Sequence, residues 1–406
     1  MAKKFKLGLV SRLLIAIVLG IILGLWAPQP VNRTIVTLSK LFSSFLLFVI
    51  PLMIVAFVTM GIADLSQGAG KLLGITGGIS YASSLICGSI AFTVAINLFP
   101  TFMSPAALGA IGDPEAGMLS PYFTIPLSPI LDVTSAVVLA FILGLCISAH
   151  REKMNAFYEP IADFSQIINS VLKSAIIPLL PLYICGTFVN MTVSGQTFTI
   201  LNLLWKVFLT VIILHLSYLL VMFLAAGAIG KKNPFVLLKN QIPGYLSAIG
   251  TQSSAATIPV NLKCAEADGV SKEIRNFVIP LCANIHMAGS MITITCCVTA
   301  VLLMYKMPVN MGIIVPFIMT LGIAMVASPG APGGSIMTAL PFLPMVGIAS
   351  NSAIASLLIA LYITQDSFGT ACNVSGDNAI SVIIETIYQK HIKNKVPAGV
   401  EAGQKA

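Results

Sequence analysis

Charge is scarce in this chain. Asp, Glu, Lys and Arg together make up 9% of its 406 residues, against about 25% in an ordinary soluble domain. Hydrophobic residues reach 57%, and the mean hydropathy is +0.96. A protein this apolar has lipid as its solvent. The strand alternation of a membrane barrel is also missing, since the apolar runs are long and continuous, so spanning helices remain. Eight cysteines are present, but no two stand as CxxC. They read as buried reduced thiols, which excludes a disulfide frame or a zinc ribbon. No zincin motif and no Ser/Lys nucleophile arrangement occurs, which argues against an intramembrane enzyme.

The net charge of +8 is membrane topology and not a nucleic-acid surface. Lys3, Lys4, Lys6 and Arg12 precede or open the first apolar run. Arg151, Lys153, Lys231, Lys232, Lys272, Arg275, Lys390, Lys393 and Lys395 fall in later gaps, and only Arg33, Lys40 and Lys306 fall on the opposite side. This positive-inside bias predicts both termini in the cytoplasm and an even number of crossings. The first apolar run lacks a small-residue cleavage site and is long enough to span, so it reads as a membrane helix and not a signal peptide.

Spans are expected at 8–28, 41–63, 74–99, 131–149, 166–192 and 200–229. The Pro-, Gly- and Ser-rich stretch 101–130 reads as an outer loop or short re-entrant pieces, and 152–163 as a charged inner loop. Segments 234–262 and 313–349 are different. Each is too long for one crossing and is broken at its middle, by Gly250–Pro259 and by Ala327–Ser335. Each reads as a helical hairpin that enters the membrane and turns back, and spans at 276–304 and 350–386 follow them. An odd number of crossings separates the hairpins, so they enter from opposite faces as an inverted repeat. Paired Gly/Pro-interrupted segments of this kind point to a transporter's midplane site.

The last span carries Asp366, Thr370, Asn373 and Asp377 at i, i+4, i+7 and i+11, one face of a helix. Two carboxylates at membrane depth cost roughly 2.5–3.5 kcal/mol each. Apart from Lys239, near the start of the first of these segments, no Arg or Lys lies inside the hydrophobic segments of the C-terminal half to pair with them, which favours cationic ligands: an ammonium, a metal cation or a proton. The first tip offers Ser253, Ser254 and Thr257, with amides suited to a carboxylate. The carbonyls of the second, Ser328 to Ser335, suit a hard monovalent cation. Between the hairpins, Asn284, His286 and Ser290 are polar within an apolar run. For His286 two readings stand: a helix–helix hydrogen bond or proton coupling.

These motifs together resemble the dicarboxylate/amino acid:cation symporter family, the glutamate-transporter fold. The resemblance covers nearly the whole chain and is most specific in Gln252–Pro259, Ala283–Ser290, Pro329–Gly334 and Asp366–Asp377. Within the family the chain is most similar to bacterial sodium-coupled serine/threonine transporters. The resemblance implies an all-α polytopic membrane protein with eight spans and two oppositely oriented re-entrant hairpins, working as an elevator in a homotrimer. Residues 1–72 and 101–195 would form the scaffold. Residues 73–100 and 196–390 would form the transport domain, with 391–406 a cytoplasmic tail.

It also implies roles. Asp366 would bind the substrate ammonium, and Thr370 and Asn373 would hydrogen-bond the amino acid. Ser253, Ser254 and the tip backbone at Gly330, Ala331 and Pro332 would hold the carboxylate. Asp377 and backbone carbonyls of Cys282, His286 and Asn373 would form one sodium site. Carbonyls of Asn284, Met325, Val326 and Ser328 would form a second. No cofactor is implied beyond the co-transported sodium.

Two departures sharpen this reading. Acidic-substrate members place an arginine where Gly369 stands, and without it an acidic side chain would be buried unpaired. A small neutral substrate is therefore expected, serine or threonine first. The third sodium site of the family has His286 and Ala288 here, so its carboxylate is absent. Fewer coupled sodium ions, or a proton in place of one, are expected. A proton- or sodium-coupled dicarboxylate carrier on the same fold is the alternative.

Overall fold

In the computed structural model, residues 9–64, 70–103, 119–131, 133–150, 153–195, 197–325, 328 and 333–391 are described. The regular elements among these residues are all helices, with no strand. Five helices are long and apolar enough to cross a membrane, and four shorter apolar ones accompany them.

The N-terminal helices are α1 (Leu9–Trp26), α2 (Gln29–Asp64), α3 (Gly70–Leu98) and α4 (Val133–Ala149). Helix α2 begins twelve residues ahead of the expected span (29 against 41). Its first turns carry Arg33 and Lys40 out of the apolar zone without leaving the helix. The described part of the expected outer loop, 119–131, is not helical. Arg33 Nε donates to Ser120 O at 2.9 Å, and its guanidinium lies 4.3 Å from the centre of the Tyr122 ring.

The expected inner loop 152–163 is corrected. Helix α5 runs Asn155–Val171 and passes through a π turn, Leu172–Ile176, into α6 (Ile177–Val193). The reason is periodicity. Phe157, Ile161, Phe164, Ile168 and Val171 recur at i, i+4, i+7, i+11 and i+14, an apolar helical stripe that outweighs the local charge.

Helix α7 (Thr197–Gly230) leads into two paired helices, α8 (Pro234–Thr251) and α9 (Ser254–Ala267). Asn233 caps α8 by accepting from Phe235 N at 3.0 Å. Gln252 ends α8 in the left-handed region (φ 53°), and Ser253 starts α9 by accepting from Ala256 N at 3.2 Å. Only these two residues separate α8 from α9, a local stop followed by a local start.

The next span is two helices, α10 (Lys272–Ile285) and α11 (Ala288–Met304), split at His286–Met287. A second helical pair is built from α12 (Met311–Met325), α13 (Gly334–Ala339) and a 3₁₀ turn, Leu340–Val346. The last described helix is α14 (Ala353–His391), whose polar stripe lowers its hydropathy below that of the other long helices.

Packing falls into two groups. Helices α1, α2, α4, α5 and α6 contact one another extensively. Helices α3 and α7 to α14 do the same, with α14 at their centre. Contacts between the groups are fewer, mainly α1 and α6 against α14. Helix α11 and the middle of α14 are buried almost throughout.

Candidate functional site

The stripe on α14 is buried along its length. Asp366, Thr370, Asn373 and Asp377 are 4%, 5%, 2% and 1% exposed. They lie on one continuous helix that packs against α8, α9, α10 and α11.

Two polar groups of the stripe, Asp366 and Asn373, meet irregular pieces of backbone. Asp366 Oδ2 accepts from the Gly333 amide at 2.7 Å, at the start of α13. Asn373 serves the break at His286–Met287. Splitting a helix frees the first amides of its second half. Asn373 Oδ1 accepts from Gly289 N at 2.8 Å and Ser290 N at 3.3 Å. Its Nδ2 lies 3.1 Å from Ser290 Oγ and 3.4 Å from Met287 Sδ. Ser290 Oγ also meets Ser335 Oγ at 3.1 Å and Tyr362 OH at 3.0 Å. The two broken segments and α14 are thus joined through one hydroxyl.

Asp377 has a partner that a search for Arg and Lys overlooks. Its Oδ1 lies 2.9 Å from His286 Nδ1, while Oδ2 is buried without a hydrogen bond. His286 Nε2 lies 3.1 Å from both Ser83 Oγ on α3 and Tyr218 OH on α7, which are 2.6 Å apart. Of the two readings of His286, a helix–helix hydrogen bond is therefore present. Its partner is the carboxylate expected to face sodium.

Gly369 stands against Gly289. A Cβ at 369 would lie 3.5 Å from Thr293 Oγ1 and 3.7 Å from the Gly289 backbone, so there is room for a methyl group. A Cβ at 289 would strike Gly369 O and come within 2.6 Å of Cys372 Cβ. Behind Thr293 lies His215 on α7, fully buried. Its Nε2 is 3.0 Å from Gly289 O and 3.1 Å from Thr293 Oγ1.

At the first tip, Ser254 and Thr257 are buried, and Ser253 is committed to capping α9. Its arms are held to α14 by amides. Asn261 Nδ2 donates to Val374 O at 2.9 Å. Asn378 Nδ2 donates to Gln241 Oε1 at 2.8 Å and to Asp268 Oδ2 at 2.7 Å. Among the remaining expected ion ligands, Cys282 O accepts from His286 N at 2.9 Å. Asn284 is exposed, and its side chain donates to Pro280 O at 2.9 Å. Met325 is buried at the end of α12, and Ser328 Oγ is buried without a partner. Val326, Gly330, Ala331 and Pro332 lie outside the described residues.

Sequence reasoning missed Ser83, Tyr218, His215, Thr293, Gln241, Asn261 and Asn378. A signal existed for Tyr218 and His215, which interrupt an otherwise apolar run, and for Gln241 and Asn261, which are amides on hairpin arms.

A family model described as the sodium:dicarboxylate symporter family matches residues 9–387. A protein named serine/threonine transporter SstT from Acinetobacter baumannii is 26% identical over 392 residues, covering 94% of this chain and 97% of that protein. A protein of the same name from Acinetobacter baylyi is 26% identical over 402 residues, again covering 94% and 97%.

Proposed function

The chain belongs to the sodium:dicarboxylate symporter family, and we propose that within it this protein imports a small neutral amino acid, serine or threonine first, coupled to sodium. It is a membrane transporter and not an enzyme. The observation that carries the choice of substrate is Gly369. The stripe offers carboxylates for an ammonium, and among the described residues no Lys or Arg stands beside them for a second acid group. The name borne by the 26%-identical relatives agrees with this reading.

Asp366 takes the substrate ammonium, and its hydrogen bond to Gly333 draws the second tip over the bound amino acid. Ser254 and the backbone of both tips, Ser253 and 330–332, take the carboxylate. Thr370 contributes a hydroxyl. Sodium sits against the unpartnered oxygen of Asp377 with nearby carbonyls, and a second ion sits at the end of α12 with Met325, Val326 and Ser328. The unpartnered hydroxyl of Ser328 supports a polar ligand at that place. His286 fills one side of Asp377, which favours fewer sodium ions than the family's three sites would hold.

We further propose eight spans with two re-entrant hairpins and both termini in the cytoplasm. The helices of 1–72 and 101–195 form a scaffold within a homotrimer, against which 73–100 and 196–390 move as an elevator. The division of packing into two groups supports this.

Counterflow in proteoliposomes tests the whole reading. Serine should exchange in a sodium-dependent way, and excess succinate or glutamate should compete weakly. Strong competition by a dicarboxylate would sink the neutral-substrate assignment.

A further inference from the structure

A cavity that none of the four stripe residues lines lies where the two packing groups meet. Its volume is about 280 Å³, near the lower limit for small-molecule sites, which run from about 300 Å³ upward. One wall is a stripe of α2, in which Ser39, Lys40 and Ser43 lie on one face. Another is α6, with Tyr183 and Asn190, and a third is the start of α14 with its preceding turn, including Asn351 and Ser356. Leu119–Pro121 lies across it. That strip is pinned by Arg33 on Ser120 O, by Tyr122 N donating to Thr37 Oγ1 at 2.9 Å, and by Leu119 N donating to Asn190 Oδ1 at 2.8 Å. The cavity is therefore built by long-range contacts and not by chance gaps.

The chemistry of the lining is one-sided. Among the described residues Lys40 is its single charged side chain, and no described carboxylate lines it. Hydroxyl groups are mostly spent: Ser39 on Tyr183 O at 3.1 Å, Thr187 on Tyr183 O at 3.0 Å, and Ser356 on Ser352 O at 3.1 Å and on Tyr183 OH. Asn190 has spent its oxygen on Leu119, which leaves its NH₂ to donate. What is left to meet a ligand is one ammonium and the Asn190 NH₂, beside the neutral polar side chains of Asn351, Ser43 and Ser120. A lone cation with neutral polar groups around it fits an anion.

We propose that this cavity binds a small carboxylate or an equivalent anionic head group, held by Lys40 and Asn190, with Leu119 and Pro121 against its apolar part. The bound anion ties α2 and α6 to the first turn of α14, beside the Tyr183–Ser356 hydrogen bond. On the elevator reading above, that tie slows transport.

The test uses the full chain in nanodiscs of phosphatidylcholine, with sodium propionate replacing sodium chloride at constant ionic strength. Propionate should raise the thermal unfolding midpoint by ~2 °C. Lys40→Gln and Asn190→Asp should each abolish that rise. The aspartate keeps the acceptor for Leu119, loses the donor and adds a negative charge that repels an anion. If discs containing phosphatidylglycerol give the Lys40-dependent rise and propionate adds nothing to it, the ligand is a lipid head group at the same site. No Lys40-dependent rise with either anion overturns the site, as does an equal rise in Lys40→Gln. A carboxylate of the chain itself seated there would give that result. In proteoliposomes, propionate should slow serine counterflow in the native protein and not in Lys40→Gln. Binding without slowing overturns the tie alone. A Lys40-dependent rise in a protein that does not exchange serine at all would count against the transport reading and not against the site.

Discussion

His286 Nδ1 lies 2.9 Å from Asp377 Oδ1, which joins the break between α10 and α11 to the polar stripe of α14. Gly376 makes the approach possible. A Cβ there would stand 2.5 Å from His286 Cε1, inside the space of the ring. The three residues form one packed unit, and the remaining oxygen of Asp377 is left for a ligand.

Gly376→Ala should therefore mimic His286→Ala. The methyl group forces the imidazole off Asp377, and overpacking of this kind costs ~1–3 kcal/mol. Each variant should show a lower thermal midpoint and a weaker apparent affinity for sodium in uptake assays, by roughly tenfold. The double variant should be little worse than the poorer single one, because both remove the same contact. Full additivity would show that Gly376 acts elsewhere.

Asp366→Asn should abolish sodium-driven serine uptake. Removing one partner of a buried charge pair costs ~2–5 kcal/mol, which is ~30-fold or more in affinity. The variant keeps an oxygen for the Gly333 amide, so the tip contact survives while the charge is lost. Retained uptake with an unchanged KM would remove Asp366 from the ammonium site.

Position 369 separates size from charge. Gly369→Ala should keep serine uptake within about threefold, since a Cβ there meets its neighbours at 3.5 Å and beyond, ordinary van der Waals distance. Gly369→Arg should lose it. The guanidinium would stand one turn from Asp366, a spacing at which opposite charges pair on a helix, and would take the place of the ammonium. If Gly369→Arg transports serine normally, the glycine is not what sets the charge of the substrate.

The stripe was legible in the sequence because Asp366, Thr370, Asn373 and Asp377 share one helix, where spacing alone fixes the face. The first tip was legible for a similar reason: Gln252 and Ser253 are local stop and start signals. What could not be read were pairings across the chain. His286 and Asp377 are 91 residues apart, and Asn378 and Asp268 are 110 apart. No local pattern encodes such a distance. The search for a counter-charge also counted only Lys and Arg, so a histidine on the neighbouring helix went unmatched. The expected inner loop at 152–163 failed differently, because its charges drew attention from an apolar stripe of helical period.

Asn373 offers a way to tell a structural role from a substrate role. In the structure its amide is spent on the break, accepting from Gly289 and Ser290 and meeting Ser290 Oγ. On the transport reading it also touches the amino acid. A residue that touched only substrate would leave the unliganded protein as stable as before when truncated. Asn373→Ala instead strands two buried amides, at ~1–3 kcal/mol each. The thermal midpoint without substrate should therefore fall clearly, along with uptake. Asn373→Asp keeps the acceptor oxygens and should recover part of the midpoint while uptake stays low, because its charge sits among groups already facing Asp366 and Asp377. If truncation leaves the unliganded midpoint untouched, the break is held by α11 itself, and Asn373 belongs to the substrate alone.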